Sequence, residues 1–189
     1  MSVNLSLFGP QQLDFSNLTL LGESLLIQLK ALSLPVSHTK NEKWRYWIEF
    51  FGKTGGPFET YYPVVSLEIV GPISYQITLR EKNVEIGTGL RWSQLHSIWP
   101  SPMGAQIRKE IRLIAKILQI QEAIYLPDSP FYTLGSGHEK AIENYPYALL
   151  REEMEEIYGP PVTNPTLVNE ALNHKMGDEG RAMWYLEMF

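Results

Sequence analysis

Apolar and polar residues alternate between residues 44 and 92 with the period of two that is typical of β-strands. The segment WRYWIEFF carries apolar side chains at every second position, namely Trp44, Tyr46, Ile48 and Phe50. The run YYPVVSLEIV and the alternating segment YQITLRE follow, and a turn at Lys82-Asn83 leads into VEIGTGL. Four successive strands with short connections predict an antiparallel meander.

Apolar residues spaced three to four positions apart predict helices in the rest of the chain, at residues 16–32, 100–119, 147–158 and 164–174. The clearest apolar stripe belongs to the second of these helices and consists of Ile107, Ile111, Ile114 and Leu118. Short strands are predicted at residues 3–7 and 123–126, and the closing segment RAMWYLEMF alternates well enough to add another strand to the sheet.

The order of these elements predicts an α+β fold, with a mainly antiparallel sheet of four to six strands, a central meander at about 44–92, and helices packed on one face. A doubly wound parallel sheet is disfavoured because strands and helices do not alternate regularly. The length predicts one domain over residues 1–189, with an acidic helical C-terminal part at about 146–189.

The composition narrows the class of protein. With 44% hydrophobic and 20% charged residues, the chain is expected to fold around a core rather than remain disordered. No apolar run reaches 18 residues, so no membrane span is predicted, and the first residues lack the basic start of a signal peptide. Cysteine is absent, which excludes disulfides and thiol catalysis. We expect a cytoplasmic protein.

The negative charge is concentrated at one end of the chain. Residues 1–150 carry 13 basic and 13 acidic side chains, whereas residues 151–189 carry three basic and eight acidic ones. The absence of net positive charge in residues 1–150 disfavours nucleic acid as a partner, since binding phosphates requires a basic surface. The acidic end is compatible with a basic protein partner, or with a helix that is simply solvated.

Metal and nucleotide sites lack local support. The chain has four histidines, and no two of them lie three or four residues apart, the spacing that places two ligands on one helix face. We therefore predict no metal and no cofactor, although a site gathered from distant segments stays open. The segment GKTGG at residues 52–56 has strand patterns on both sides, whereas a phosphate-binding loop leads into a helix.

One segment combines residue types found in hydrolase sites. AIYLPDSPFYTLGSGHEK, at residues 123–140, contains Asp128, Ser129, Ser136 and His138. Catalytic triads are usually assembled from distant segments, and the motif GxSxG is absent. A turn or capping role is available to each polar residue, for example an Asx-turn at Asp128. The segment is therefore either a structural connection or a catalytic loop.

Two charged stripes at helical spacing remain. The helix predicted at 147–158 carries exposed acidic residues, of which we select Glu152, Glu155 and Glu156 as partner contacts. The helix predicted at 100–119 carries a basic stripe formed by Arg108, Arg112 and Lys116. The two stripes either contact partners separately or pair with each other inside the fold.

These observations lead to three hypotheses of function. The first is a non-catalytic protein-interaction module, most concretely a bacterial immunity or inhibitor protein whose acidic surface binds a basic partner, with Trp47 and Trp92 as aromatic anchors. The second is a hydrolase with a cleft at the 127–138 loop, in which Asp128 and His138 form the acid–base pair. The third is a module that binds a small apolar ligand between sheet aromatics, namely Trp44, Tyr46, Tyr61, Tyr62 and Tyr75.

Overall fold

The structure, a computed structural model, describes residues 4–34, 45–52, 61–69, 73–91, 95–127, 134–162, 164 and 183–189. Its strands are β1 (Asn4–Pro10), β2 (Arg45–Gly52), β3 (Tyr61–Ile69), β4 (Tyr75–Leu79), β5 (Asn83–Arg91), β6 (Glu122–Pro127) and β7 (Leu186–Met188). Its helices are α1 (Leu18–Lys30), α2 (Leu95–Ile98), α3 (Pro102–Ile117), α4 (Gly135–Ile142) and α5 (Tyr147–Tyr158). The helix predicted at 164–174 lies outside these residues, except for Asn164.

The strands form one sheet in the order β2-β3-β4-β5-β1-β6-β7, and each neighbouring pair is antiparallel. The predicted α+β class and the meander of β2 to β5 are therefore confirmed. The sheet has seven described strands where the sequence predicted four to six, because β1, β6 and β7 join the meander in a single sheet. The N-terminal strand β1 lies inside the sheet, between β5 and β6.

One face of the sheet is covered by α1 and α3, and we call it the α1/α3 face. Leu7, Ile86 and Ile77 lie side by side on β1, β5 and β4 and are fully or almost fully buried. The stripe predicted on α3 is buried as well, from Ile107 to Leu118. The two layers are also joined by a polar contact, since Tyr75 of β4 donates a 2.8 Å hydrogen bond to Glu110 of α3.

Helices also cover the opposite face, which we call the α4/α5 face. Phe8 follows Leu7 on β1 and therefore projects to this side, where its ring meets the ring of His138 of α4 at 5.4 Å. A Cβ placed on Gly137 of α4 would lie 3.4 Å from Leu126 of β6 and from Met154 of α5. The sheet thus has helices on both faces instead of the single face predicted from sequence. The reason is that β1 and β6 are apolar on both sides and require cover on both.

Local sequence signals account for the first turns of α1 and α3, the two longest described helices. Asn17 accepts a 3.1 Å hydrogen bond from the Leu20 amide and so caps α1, one residue after the start of the helix predicted at 16–32. Ser101 caps α3, and Pro102 occupies its first turn, where a missing amide hydrogen costs nothing. No helix in the described part of the chain combines the length and apolar composition that crossing a bilayer requires.

Gly104 lets the first turn of α3 pack directly against the backbone that leads into it. A Cβ at this position would lie 2.1 Å from the carbonyl oxygen of Ile98 and 2.6 Å from that of Trp99. Those distances are far below any allowed contact, so every residue other than glycine would push the two segments apart. The positions of α2 and the buried Trp99 therefore depend on this glycine.

We expect Gly104→Ala to destabilise the protein by more than about 2 kcal/mol, because the added methyl group collides with backbone that cannot move aside. Helix propensity alone predicts the opposite sign, a gain of up to about 1 kcal/mol. Urea unfolding at pH 7 measures the difference. The control is Ala105→Gly at the next, exposed position, for which only the propensity loss of about 1 kcal/mol is expected. An unchanged or raised stability of Gly104→Ala would contradict this role of Gly104.

Candidate functional site

Helix α5 divides its charged residues between the interior of the fold and solvent. Arg151 forms an ion pair with Glu122 of β6, and Glu153 pairs with Lys140 of α4. The partner contacts predicted from sequence differ from these, because they are exposed and form no ion pair with any described residue; they are Glu152, Glu155 and Glu156. They share one side of α5 at spacings of three and four residues.

The position of these glutamates within α5 is electrostatically unfavourable. Glu155 and Glu156 lie in the last turn, which contains no basic residue, and the helix ends at Gly159 with a φ of 78°. The carboxyl end of a helix carries a partial negative charge, so carboxylates there are repelled by the helix as well as by each other. A cationic group from outside would reduce both repulsions.

A cleft of about 660 Å³ lies beside this acidic surface. One wall is α5, which contributes Ala148, Glu152 and Glu155, and the other wall comes from the ends of β1 and β7 at Pro10 and Met188. Amide side chains line it as well, from Gln12, Gln119 and Gln121. The cleft is therefore polar and partly acidic, which suits a peptide or side chain that brings hydrogen-bond donors.

A partly buried ion pair holds α5 in place against the sheet at this cleft. Both oxygens of the Glu122 carboxylate accept hydrogen bonds from Arg151, at 2.7 and 2.9 Å, and Tyr147 donates a third at 3.1 Å. Burial, and then the nearby charge of Glu122, raise the pKa of Tyr147 well above its ordinary value, so its hydroxyl remains a donor. This anchor sets the direction in which Glu152 and Glu155 project.

Of the two predicted aromatic anchors, the structure describes Trp47, and this residue does not join the acidic surface. Trp47 is half-buried on β2, at the far edge of the sheet from β7. Five strand spacings separate β2 from β6, which corresponds to roughly 24 Å. Trp92 lies outside the described residues. The acidic contacts are therefore brought together with each other and with the cleft, but not with Trp47.

The basic stripe of α3 is also separate from the acidic helix. Arg112 donates a 3.0 Å hydrogen bond to the buried Glu187 of β7, and the Arg108 guanidinium lies 5.7 Å from the centre of the Trp99 ring. Both contacts are on the α1/α3 face, whereas α5 lies on the other side of the sheet. The pairing between the two stripes that the sequence left open does not occur.

His138 belongs to a second polar cluster, which is centred on Glu85 of β5. Nε2 of His138 lies 3.7 Å from Oε1 of Glu85. The same carboxylate accepts hydrogen bonds of 2.9 Å from the Ser6 hydroxyl and from Arg80. Asp128, the predicted partner of His138, lies outside the described residues, so the Asp128–His138 pair stays a prediction.

The charge state of Glu85 determines what this cluster can do. Burial by itself would raise the pKa of Glu85, but the contacts with His138 and Arg80 outweigh it and lower the pKa to about 2. Such a weak base cannot accept the Ser6 proton near neutral pH, and Ser6 donates to Glu85 rather than to His138. Among the described residues the cluster therefore lacks the serine–histidine hydrogen bond of an activated nucleophile.

Two residues of the third hypothesis, Tyr75 and Tyr62, make hydrogen bonds within the fold. Tyr75 is fully buried and bonded to Glu110, and the Tyr62 hydroxyl donates to the carbonyl of Ile142. Trp44 lies outside the described residues, and Tyr46 and Tyr61 lie on β2 and β3. The described part of the chain contains no group of three or more histidine, aspartate or glutamate side chains that could hold a metal ion.

Sequence reasoning missed Glu85 and its partners, as well as the pair Glu122–Arg151. A signal was present for Glu85, because its position in VEIGTGL places it on the opposite face from Val84 and Ile86, as the single charged residue of that segment. Arg80 lies across the hairpin from it. An acidic and a basic residue flanking a tight turn indicate a cross-strand pair.

Comparisons with family models, with curated proteins and with solved structures found no match for this chain.

The low pKa of Glu85 links its ion pair to acid stability. The folded-state pKa of about 2 lies below the unfolded value of 4.5, so the contribution is complete above pH 4.5 and is lost as the pH falls toward 2. We expect the difference in unfolding free energy between the wild type and Glu85→Gln to shrink by about 3 kcal/mol across that range.

Urea unfolding at a series of pH values between 7 and 2 tests this expectation. The control is Glu139→Gln, a change of the same kind at an exposed position of α4, which should leave the acid dependence close to that of the wild type. A difference between the wild type and Glu85→Gln that stays constant with pH would contradict the assignment of an ionised, stabilised Glu85.

Proposed function

We propose that this chain is a non-catalytic protein-interaction module of the bacterial immunity or inhibitor type, which binds a basic partner protein through α5 and the adjoining cleft. The observation that carries the proposal is the acidic surface of Glu152, Glu155 and Glu156, which is exposed and unpaired among the described residues. A cytoplasmic location is part of the proposal, and the absence of cysteine is compatible with a reducing compartment.

Charge supports a basic partner over other classes of ligand. The surface glutamates repel each other and the helix end, and a lysine- or arginine-rich partner relieves that repulsion when it binds. The uneven distribution of charge along the chain favours the same partner, because the excess negative charge lies in residues 151–189. Complementary charges would accelerate association, and this effect would decline as salt screens them.

The cleft supports a protein or peptide as the ligand. Its volume of about 660 Å³ accommodates several side chains of a partner. Gln12, Gln119 and Gln121 can donate and accept hydrogen bonds with a peptide backbone, and Glu152 and Glu155 can accept from a cationic side chain. In this arrangement the cleft supplies specificity, and the exposed glutamates supply attraction over a longer range.

We expect the combined variant Glu152→Lys, Glu155→Lys and Glu156→Lys to weaken partner binding by about tenfold or more at low salt, mainly through slower association. The partner is first captured from the native host with the tagged wild-type chain and identified by mass spectrometry. It is then purified, and association rates are measured across a salt series.

The matched control carries the same change in net charge elsewhere, at Glu23, Glu81 and Glu139, which are all exposed. This control should bind within about twofold of the wild type, since its charges are not at the interface. A partner that binds the α5 variant as tightly as the wild type, also at high salt, would rule out the acidic surface as the contact.

A second variant tests the cleft. Ala148 lines it, so Ala148→Trp should fill part of its volume and weaken binding of the same partner by about tenfold, mainly through faster dissociation. Leu149→Trp is the control, because Leu149 is 44% exposed on the same helix and is not among the residues that line the cleft. Equal affinity of the partner for the two tryptophan variants would show that the cleft does not take part in binding.

A further inference from the structure

A pocket of about 270 Å³ lies on the α4/α5 face above the middle of β5, and we call it the β5 pocket. Strand register places Glu68, Gln76, Gly87 and Ser6 side by side on β3, β4, β5 and β1. Paired residues in antiparallel strands project from the same face. Three polar side chains therefore flank one position that has no side chain. The pocket lies at the Asn4 end of β1, whereas the α5 cleft lies at the Pro10 end.

Gly87 forms the floor of the β5 pocket, beside the irregularity in the pairing of β1 with β5 that lies between Asn4 and Ser6. Its φ is not positive, and a Cβ there would meet its nearest described neighbour, the Gln76 carbonyl oxygen, at an ordinary contact distance of 3.4 Å. Glycine inside a strand is destabilising, and it often marks a bulge or a place where a ligand or another backbone approaches closely. The missing side chain keeps the space above β5 open.

The walls of the pocket offer both donors and acceptors of hydrogen bonds. The Glu85 carboxylate is neutralised by Arg80 at its other oxygen, and Glu68 already has an interaction partner. The side chain of Gln76 is exposed, and it makes no hydrogen bond to a described residue. Anions would be repelled by the two carboxylates, and a cation would gain little from Glu85, whose charge Arg80 already compensates.

We infer that the β5 pocket binds a small, neutral, polyhydroxylated molecule of about the size of a monosaccharide. Hydroxyl groups both donate and accept, which matches walls built from carboxylates, an amide, serine hydroxyls and His138. The volume of about 270 Å³ lies just below the usual range for ligand pockets, which favours a molecule of monosaccharide size. The inference is independent of the proposed partner binding, which uses the opposite end of the sheet.

Nitrogen–proton correlation spectra of the whole chain test the inference, with D-glucose and myo-inositol as neutral probes, putrescine as the cationic probe and acetate as the anionic probe. At least one neutral probe is expected to produce saturable shifts of the Gly87 and Gly89 backbone amides and of the Gln76 side-chain amide. Putrescine and acetate should produce none that saturate. Saturation by a charged probe alone, or by no probe up to its solubility limit, would overturn the inference.

Gly87→Val should lower the affinity for the neutral probe at least tenfold by filling the floor of the pocket, and Gln76→Leu should lower it by removing the free amide. Gln106→Leu on α3, an exposed glutamine on the other side of the sheet, should bind within twofold of the wild type. Well-dispersed spectra show that each variant is folded. If Gly87→Val does not fold, the affinity of Gln76→Leu for the neutral probe tests the inference. Unchanged affinity in a folded Gly87→Val or in Gln76→Leu would contradict the inference.

Discussion

The double pairing of β1, with β5 along one edge and β6 along the other, is the interaction on which the rest of the structure depends. It joins the meander of β2 to β5 to the C-terminal strands in a single sheet. Leu5 and Leu7 are buried on one face of this strand, and Phe8 is buried on the other. A strand that excludes water from both sides requires helices on both sides. The positions of α3 and α4 on opposite faces follow from this requirement.

Polar contacts then hold the α4–α5 segment against the β4–β5 hairpin. The side-chain amide of Asn83 donates to the carbonyls of Ala141 and Tyr145 at 2.8 and 2.9 Å. The Glu85 carboxylate, next but one along the same strand, faces His138. A buried carboxylate is costly to remove from water, and the contacts with Arg80 and His138 offset that cost. Because these partners come from the hairpin and from α4, each of them constrains where the helical segment can pack.

The surface that we propose for partner binding depends on the same framework. The ion pair between Arg151 and Glu122 fixes the rotation of α5 about its axis, and only then do Glu152 and Glu155 line a common cleft. In an isolated helix the three glutamates would still share one side, but that side would have no fixed neighbour. The tertiary structure therefore places the acidic residues beside a defined cleft. Recognition of a partner requires such a fixed arrangement.

The sequence by itself determined the elements. The bounds of α5 agree with the predicted 147–158. The meander, the apolar stripe on α3 and the fold class could also be predicted, because helix and strand periods arise from neighbouring residues. The sites were only partly readable: the exposed glutamates of α5 were predicted, whereas Glu85 and the pair Glu122–Arg151 were not. The tertiary structure alone decided that β1 lies inside the sheet and that helices cover both faces. The physical reason is that strand order and side-chain clusters depend on contacts between residues far apart in sequence, such as Ser6 and Glu85. The periodicity of neighbouring residues does not indicate which distant segment a strand will pair with.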